Sequence, residues 1–254
     1  MIRKKLKIIQ NIKLTAEVYC CVLEGDIVQE IQNPGQFLQI KIRNSYLRRP
    51  ISISSFDKNK NQLTIIYKVL GTGTAQLASY QATEYLDVLG PLGNGFDITT
   101  LKNDDHILIC GGGVGIPPLY GVLQAIKASF PQIHITVVLG FRTQAEIFLY
   151  DAFQALTPTH ITTDDGSFGY AGNVFAAIPK AAHFDAIFAC GPAPLLQGIE
   201  QTFKTSTLQL SYEEHMACGI GICMGCIKST NNAKGYIRLC KEGPVLLHNP
   251  REEQ

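Results

Sequence analysis

The chain has 254 residues, 46% of them hydrophobic, and 22 Lys and Arg against 21 Asp and Glu. A formal charge of +1 gives no reason to expect nucleic acid or an anionic membrane as a partner, and no run of about 18 apolar residues is available to span a bilayer. Eight cysteines without an apolar leader fit a reducing cytoplasm, where thiols stay free or bind metal.

The basic start, Met1–Gln10, alternates as a strand does. Short β-runs follow at Thr15–Leu23, Gln36–Ile42, Pro50–Ser54 and Leu63–Val69, with a tight turn at Asn33-Pro34-Gly35. That spacing predicts a closed or sandwiched antiparallel sheet over residues 1–100. One helix is expected in this region, Thr74–Gln81, opened by Gly71-Thr72-Gly73-Thr74 and capped by Thr74. Ahead of it stands Leu47-Arg48-Arg49-Pro50-Ile51-Ser52. An arginine beside a strand suits a diphosphate because its planar fork matches phosphate oxygens; a solvated surface pair is the plainer alternative. The glycine-rich Leu89–Phe96 is expected to close the barrel.

Over residues 101–210 strands alternate with helices, the pattern of a parallel sheet covered on both faces. His106–Cys110 is an apolar strand leading into Gly111-Gly112-Gly113-Val114-Gly115, and Pro117 opens a helix toward Ala128. A strand, a glycine loop and a helix make a dinucleotide candidate, although the strict G-x-G-x-x-G form is absent. Further strands are expected at Ile133–Leu139, Thr159–Thr162 and Asp185–Cys190. The last ends in Cys190-Gly191-Pro192, before a helix near Leu195–Phe203. Ligands of open α/β sheets lie at the carboxyl ends of the strands, so Cys190 and Gly113 should share one rim.

Residues 211–254 carry Cys218, Cys223, Cys226 and Cys240, spaced C-x4-C-x2-C with a fourth thiol returning later. This is how plant-type [2Fe–2S] ligands begin. A zinc site would favour two C-x2-C pairs, disulfides an oxidising compartment, and a Rieske centre two histidines, of which only His215 is near. The final gap is shorter than that expected of a plant ferredoxin.

Arg49-Pro50-Ile51-Ser52 resembles the flavin-binding R-x-Y-S pattern of the ferredoxin–NADP reductase family. The resemblance implies FAD held by Arg49, Pro50, Ile51, Ser52, Ile66, Tyr67, Lys68, Gly73 and Thr74. Ile51 replaces an aromatic that would stack on the flavin, and Tyr67 on the neighbouring strand could contact the flavin instead. The same resemblance places NAD at Gly111, Gly112, Gly113, Gly115, Gly191 and Pro192, with Cys190 beside the nicotinamide. Arg142 could reach a 2′-phosphate, but no second basic residue stands near it, which favours NAD. The implied fold class is multi-domain β + α/β: an antiparallel β-barrel flavin domain, a parallel-sheet α/β nucleotide domain and a small C-terminal [2Fe–2S] domain.

Nicotinamide exchanges two electrons together and an iron–sulfur centre one, so a flavin must stand between them. With Glu213–Cys226, Cys240 and Gly90–Phe96 added, the whole length resembles the family of electron-transfer subunits of dihydroorotate dehydrogenase B. In that family an isoleucine at the Ile51 position is usual. Membership implies an FMN-containing dihydroorotate dehydrogenase catalytic subunit as partner, in a heterotetramer of two of each, serving pyrimidine biosynthesis in the cytoplasm. Met216, Ile220, Ile222 and Met224 are expected to form its docking face. Two rivals share parts of this pattern: an NAD(P)H–ferredoxin or sulfide-type oxidoreductase subunit, and a non-catalytic iron–sulfur redox sensor.

Overall fold

A computed structural model describes residues 1–179, 182–230 and 233–248. Among these, the chain separates into two compact units. The first joins Met1–Gly95 with Glu213–Val245, so the cysteine-bearing segment belongs to the barrel's unit; the second holds Phe96–Tyr212 and the described residues from Leu246 on.

The first unit is built on six strands, β1 (Ile2–Lys13), β2 (Val18–Glu24), β3 (Phe37–Lys41), β4 (Arg49–Asp57), β5 (Gln62–Lys68) and β6 (Tyr85–Leu92). They close in the order β1-β2-β5-β4-β3-β6, every pair antiparallel. Alternation decides what lies inside: Leu38 and Ile40 of β3, and Leu63, Ile65 and Tyr67 of β5, fill one core with Leu6, Ile8, Leu23 and Leu86. Between β5 and β6 runs helix α1 (Thr72–Ala78). It begins two residues earlier than the sequence suggested, because Gly71 takes the cap position. Thr74 still serves the helix start, its hydroxyl accepting from the N–H groups of Leu70 at 2.9 Å and Gly71 at 3.3 Å.

Arg48 stitches the outside of the barrel. Its guanidinium donates to the carbonyls of Gln39 (3.1 Å) and Asp87 (3.0 Å) and to the Asp87 carboxylate (2.7 Å).

The second unit is a seven-stranded sheet with helices α2 (Ile116–Ser129), α3 (Tyr150–Gln154) and α4 (Ala193–Thr202). Its strands are β7 (His106–Gly112), β8 (His134–Phe141), β9 (Thr159–Thr163), β10 (Tyr170–Ala171), β11 (Ala186–Cys190) and β12 (Thr207–Ser211). They run parallel in the order β10-β9-β8-β7-β11-β12. The C-terminal segment adds the two-stranded β13 (Ile227–Ser229) and β14 (Tyr236–Arg238), then the short helix α5 (Leu239–Glu242). The last strand, β15 (Val245–His248), borders β12 at the sheet edge. No helix among the described residues is long and apolar enough to cross a membrane.

Candidate functional site

The β4–β5 ladder runs from Ile53↔Ile65 to Asp57↔Gln62. Before it, Arg49–Ser52 pair with β3 only, and Ile66–Lys68 with β2 only. The two segments therefore face a place where the barrel wall carries no cross-strand partners. Arg49 stands at its end. Its side chain donates to the Leu47 carbonyl at 2.8 Å and forms no ion pair among the described residues. The guanidinium lies directly over Gly73, where a β-carbon would come within 2.6 Å of Nε. A cation without a carboxylate partner, pressed against a side-chain-free helix start, fits a diphosphate.

Tyr67 points inward, is stacked 5.9 Å from the Tyr19 ring and donates its hydroxyl to Asn11 Oδ1 at 2.9 Å. The two-residue period of β5 requires this, since Leu63 and Ile65 point the same way. Ile66 takes the outer side, and Lys68 pairs with Glu17 at 2.9 Å.

In the second unit, Cys190 and Gly111 are register partners, so the loops after β7 and β11 leave the sheet side by side. They touch. A β-carbon at Gly115 would meet the Cys190 carbonyl carbon and oxygen at 2.5 Å, and one at Gly191 would meet the Gly112 nitrogen at 3.0 Å. The rim brings Gly111, Gly112, Gly113, Gly115, Cys190, Gly191 and Pro192 together, with the Cys190 thiol buried. Backbone groups at the carboxyl end of parallel strands are what a dinucleotide needs. Arg142 is ion-paired with Glu146 at 2.6 Å, which lowers its value as a receptor for a further phosphate.

The four cysteines form two pairs. The Cys223 N–H donates to Cys218 Sγ at 3.4 Å and the Cys240 N–H to Cys226 Sγ at 3.4 Å. Cys218 also receives the N–H groups of Ile220 and Ile222, and Cys240 receives that of Gly221 at 3.0 Å. Among the described residues no three His, Cys, Asp or Glu converge as a single-ion site. Two thiol pairs ringed by N–H donors fit two bridged irons better than one tetrahedral zinc.

Charge on the sulfurs follows the same arrangement. Burial pushes the Cys218 thiol up, but three backbone N–H groups outweigh it and leave it at about 6. Burial, and then the neighbouring Cys226, push Cys240 up to about 12. Metal ligation takes the thiolate form, and the N–H groups around Cys218 favour it.

Two features had no clear sequence signal. Arg238 donates to the Gly221 carbonyl at 2.8 Å while paired to Glu242, so it fixes the peptide whose N–H, that of Ile222, serves Cys218. Asn94, in the loop after β6, donates from its side chain to the Val245 carbonyl at 2.8 Å and from its backbone to that of Gly243 at 2.8 Å. Both residues read as ordinary turn polarity until the returning segment is seen.

Known proteins carry the same parts. The iron-sulfur cluster binding domain of dihydroorotate dehydrogenase B matches residues 213–249, and an oxidoreductase NAD-binding domain matches residues 108–201. The dihydroorotate dehydrogenase B (NAD(+)) electron transfer subunit of Geobacillus kaustophilus is 40% identical over 252 residues, 97% of each chain. That of Enterococcus faecalis is 40% identical over 254 residues, 96% of each chain. The chain belongs to this family of electron transfer subunits. Among solved structures, the NADH-dependent reduced ferredoxin-NADP oxidoreductase matches with a TM-score of 0.84 and 27% identity, covering 95% of this chain and 87% of that one. The likeness extends to all the parts the sequence had suggested: barrel, parallel sheet and iron–sulfur segment. As an electron transfer subunit of the dihydroorotate dehydrogenase B family, the chain is an oxidoreductase component that works with a catalytic partner.

Proposed function

We propose that the chain passes electrons between an FMN-containing dihydroorotate dehydrogenase subunit and NAD⁺, in a cytoplasmic heterotetramer of two of each. FAD would be held by Arg49, Pro50, Ile51 and Ser52, by the backbone of Ile66, Tyr67 and Lys68, and by Gly73 and Thr74. NAD would sit on Gly111, Gly112, Gly113, Gly115, Gly191 and Pro192, with Cys190 beside the nicotinamide. Cys218, Cys223, Cys226 and Cys240 would hold a [2Fe–2S] cluster. When bound, the flavin supplies the conversion between a hydride and single electrons that neither neighbour can perform.

The chain's own residues bind, orient and exclude water. Arg49 neutralises the diphosphate, and the Gly73 surface lets it approach. Gly115 and Gly191 let two loops close on each other with no side chain between them. The N–H groups of Ile220, Gly221 and Ile222 favour anionic sulfur. Hydride transfer needs no acid or base, so the site needs no carboxylate dyad or catalytic histidine.

The observation that carries this reading is the two thiol pairs lying in the same compact unit as the barrel. The partner face follows from exposure around them: Ile222 is 75% exposed and Met224 37%, flanking the exposed Cys223, while Cys226 and Cys240 are each 3% exposed. Met216 and Ile220 are half-buried and belong more to the loop's own packing. An apolar rim around a redox centre fits a partner subunit.

An anaerobic visible spectrum with metal and flavin counts tests the assignment. One flavin and two irons per chain, both bleached by NADH, are expected. Dihydroorotate oxidation should need the second subunit, and oxidation by the isolated chain overturns the reading.

A further inference from the structure

Gln39 lies in the middle of β3, is 0% exposed, and neither Nε2 nor Oε1 has a hydrogen-bond partner among the described residues. Buried amides are almost always paired, so an orphan of this kind asks for a missing group. The strand itself is fully engaged: Gln39 faces Pro50 on β4 and Leu89 on β6, and its carbonyl accepts from Arg48. Because Leu38 and Ile40 fill the core, alternation sends the Gln39 side chain out of the barrel. There it is covered by the cluster loop. A β-carbon on Gly219 would stand 2.4 Å from Gln39 Nε2 and 2.6 Å from Cγ. The amide is therefore pressed against the residue that follows Cys218, and it shares a register position with Pro50 of the candidate flavin strand.

An apolar side chain of equal size would fill this place with no polar atom left over. Building on the cluster assignment above, we infer that Gln39 is a positioning residue of the relay. Its amide N–H donates to sulfur on the Cys218 side of the cluster and raises the cluster's reduction potential. The sign follows from charge: reduction adds an electron to the cluster, and a donor to sulfur stabilises the more negative state. A single primary amide in a dry site can act this way because low dielectric strengthens each remaining dipole.

The test uses the assembled complex, with cluster and flavin potentials measured separately by anaerobic titration, and iron counted. Gln39→Leu should keep two irons and its flavin, while the cluster's reduced fraction at a fixed solution potential falls about tenfold, or about 59 mV for a one-electron centre. The flavin potential should not move. A cluster potential that stays put with iron intact overturns the inference, and so does a shift confined to the flavin.

Should Gln39→Leu lose iron, the parent protein still decides the matter. With side-chain [15N]glutamine incorporated, pulsed EPR of the reduced cluster should show a nitrogen coupling, and its absence overturns the inference. A protein with no reducible iron signal at all defeats the cluster assignment instead, so the two failures are distinguishable.

Discussion

The Arg49 guanidinium occupies the space that a β-carbon on Gly73 would need, 2.6 Å from Nε and 2.9 Å from Nη2. Gly73→Ala should push the arginine off its position, and Arg49→Ala should remove it altogether. Each charge-assisted hydrogen bond lost is worth roughly 1.5–3 kcal/mol, so FAD affinity should fall about 10- to 100-fold. Rebinding of FAD to the flavin-stripped protein, followed by fluorescence, measures this. Unchanged affinity in both variants would leave Arg49 a surface cation.

Gly115 contacts backbone, which cannot retreat as a flexible side chain can. Gly115→Ala should separate the two glycine loops and raise KM for NADH by about tenfold or more, on the scale of overpacked sites losing 1–3 kcal/mol. Flavin content should stay the same, because this loop lies in the other unit. Steady-state NADH–dye assays with a flavin count separate the two effects.

Serine in place of one cysteine from each pair should be equally damaging to the cluster but not to the fold. Cys223→Ser alters the exposed pair; Cys226→Ser puts a hydroxyl into a buried one. Both should drop iron well below two per chain, and only the second should also lower the melting temperature. A chain that holds one zinc with all four thiols present would contradict the pairing.

The ion pair between Arg142 and Glu146 is exposed and so worth roughly 0.2–1 kcal/mol. Glu146→Gln should remove this ion pair and raise the NADPH-to-NADH ratio of kcat/KM by up to about fivefold. A ratio that does not change removes Arg142 from cofactor choice.

His106 gives the nucleotide unit a pH-dependent stability. Burial lowers its pKa, His134 and His183 lower it further, and Asp185 opposes them. The folded state thus holds this ring neutral while the unfolded chain takes up a proton at the ordinary value of about 6.5. Stability should be fully present above that pH and should decline as pH falls through it. Urea titrations between pH 7.5 and 5.5 should show a shallower decline for His106→Gln.

Much of this arrangement was readable in the chain. Periods of two and the turn at Asn33-Pro34-Gly35 announced the barrel, and the glycine run after His106–Cys110 announced the nucleotide rim. Cysteine spacing alone pointed to iron. The Tyr67 ring lies inside the barrel because strand parity sends it inward with Leu63 and Ile65, a placement that depends on which face of β5 is covered. Gln39 sits at an outward position of β3, since Leu38 and Ile40 fill the core. Only the distant Gly219, folding back over it, turns that residue into a buried amide. Arg48 and Arg49 are adjacent and identical in type, yet one serves Asp87 and the other Gly73. Such divisions depend on contacts across tens to hundreds of residues, which local pattern does not encode.

The late-arriving segment over the barrel wall also has a consequence for how the protein is made. Phe37, Gln39 and Gly93 emerge from the ribosome early, yet the residues that shield them arrive with Gly219 and Pro244. At translation rates of about 5–20 residues per second, the wait is on the order of ten seconds. For that interval this face of the nascent barrel is uncovered, open to chaperones and to premature self-association.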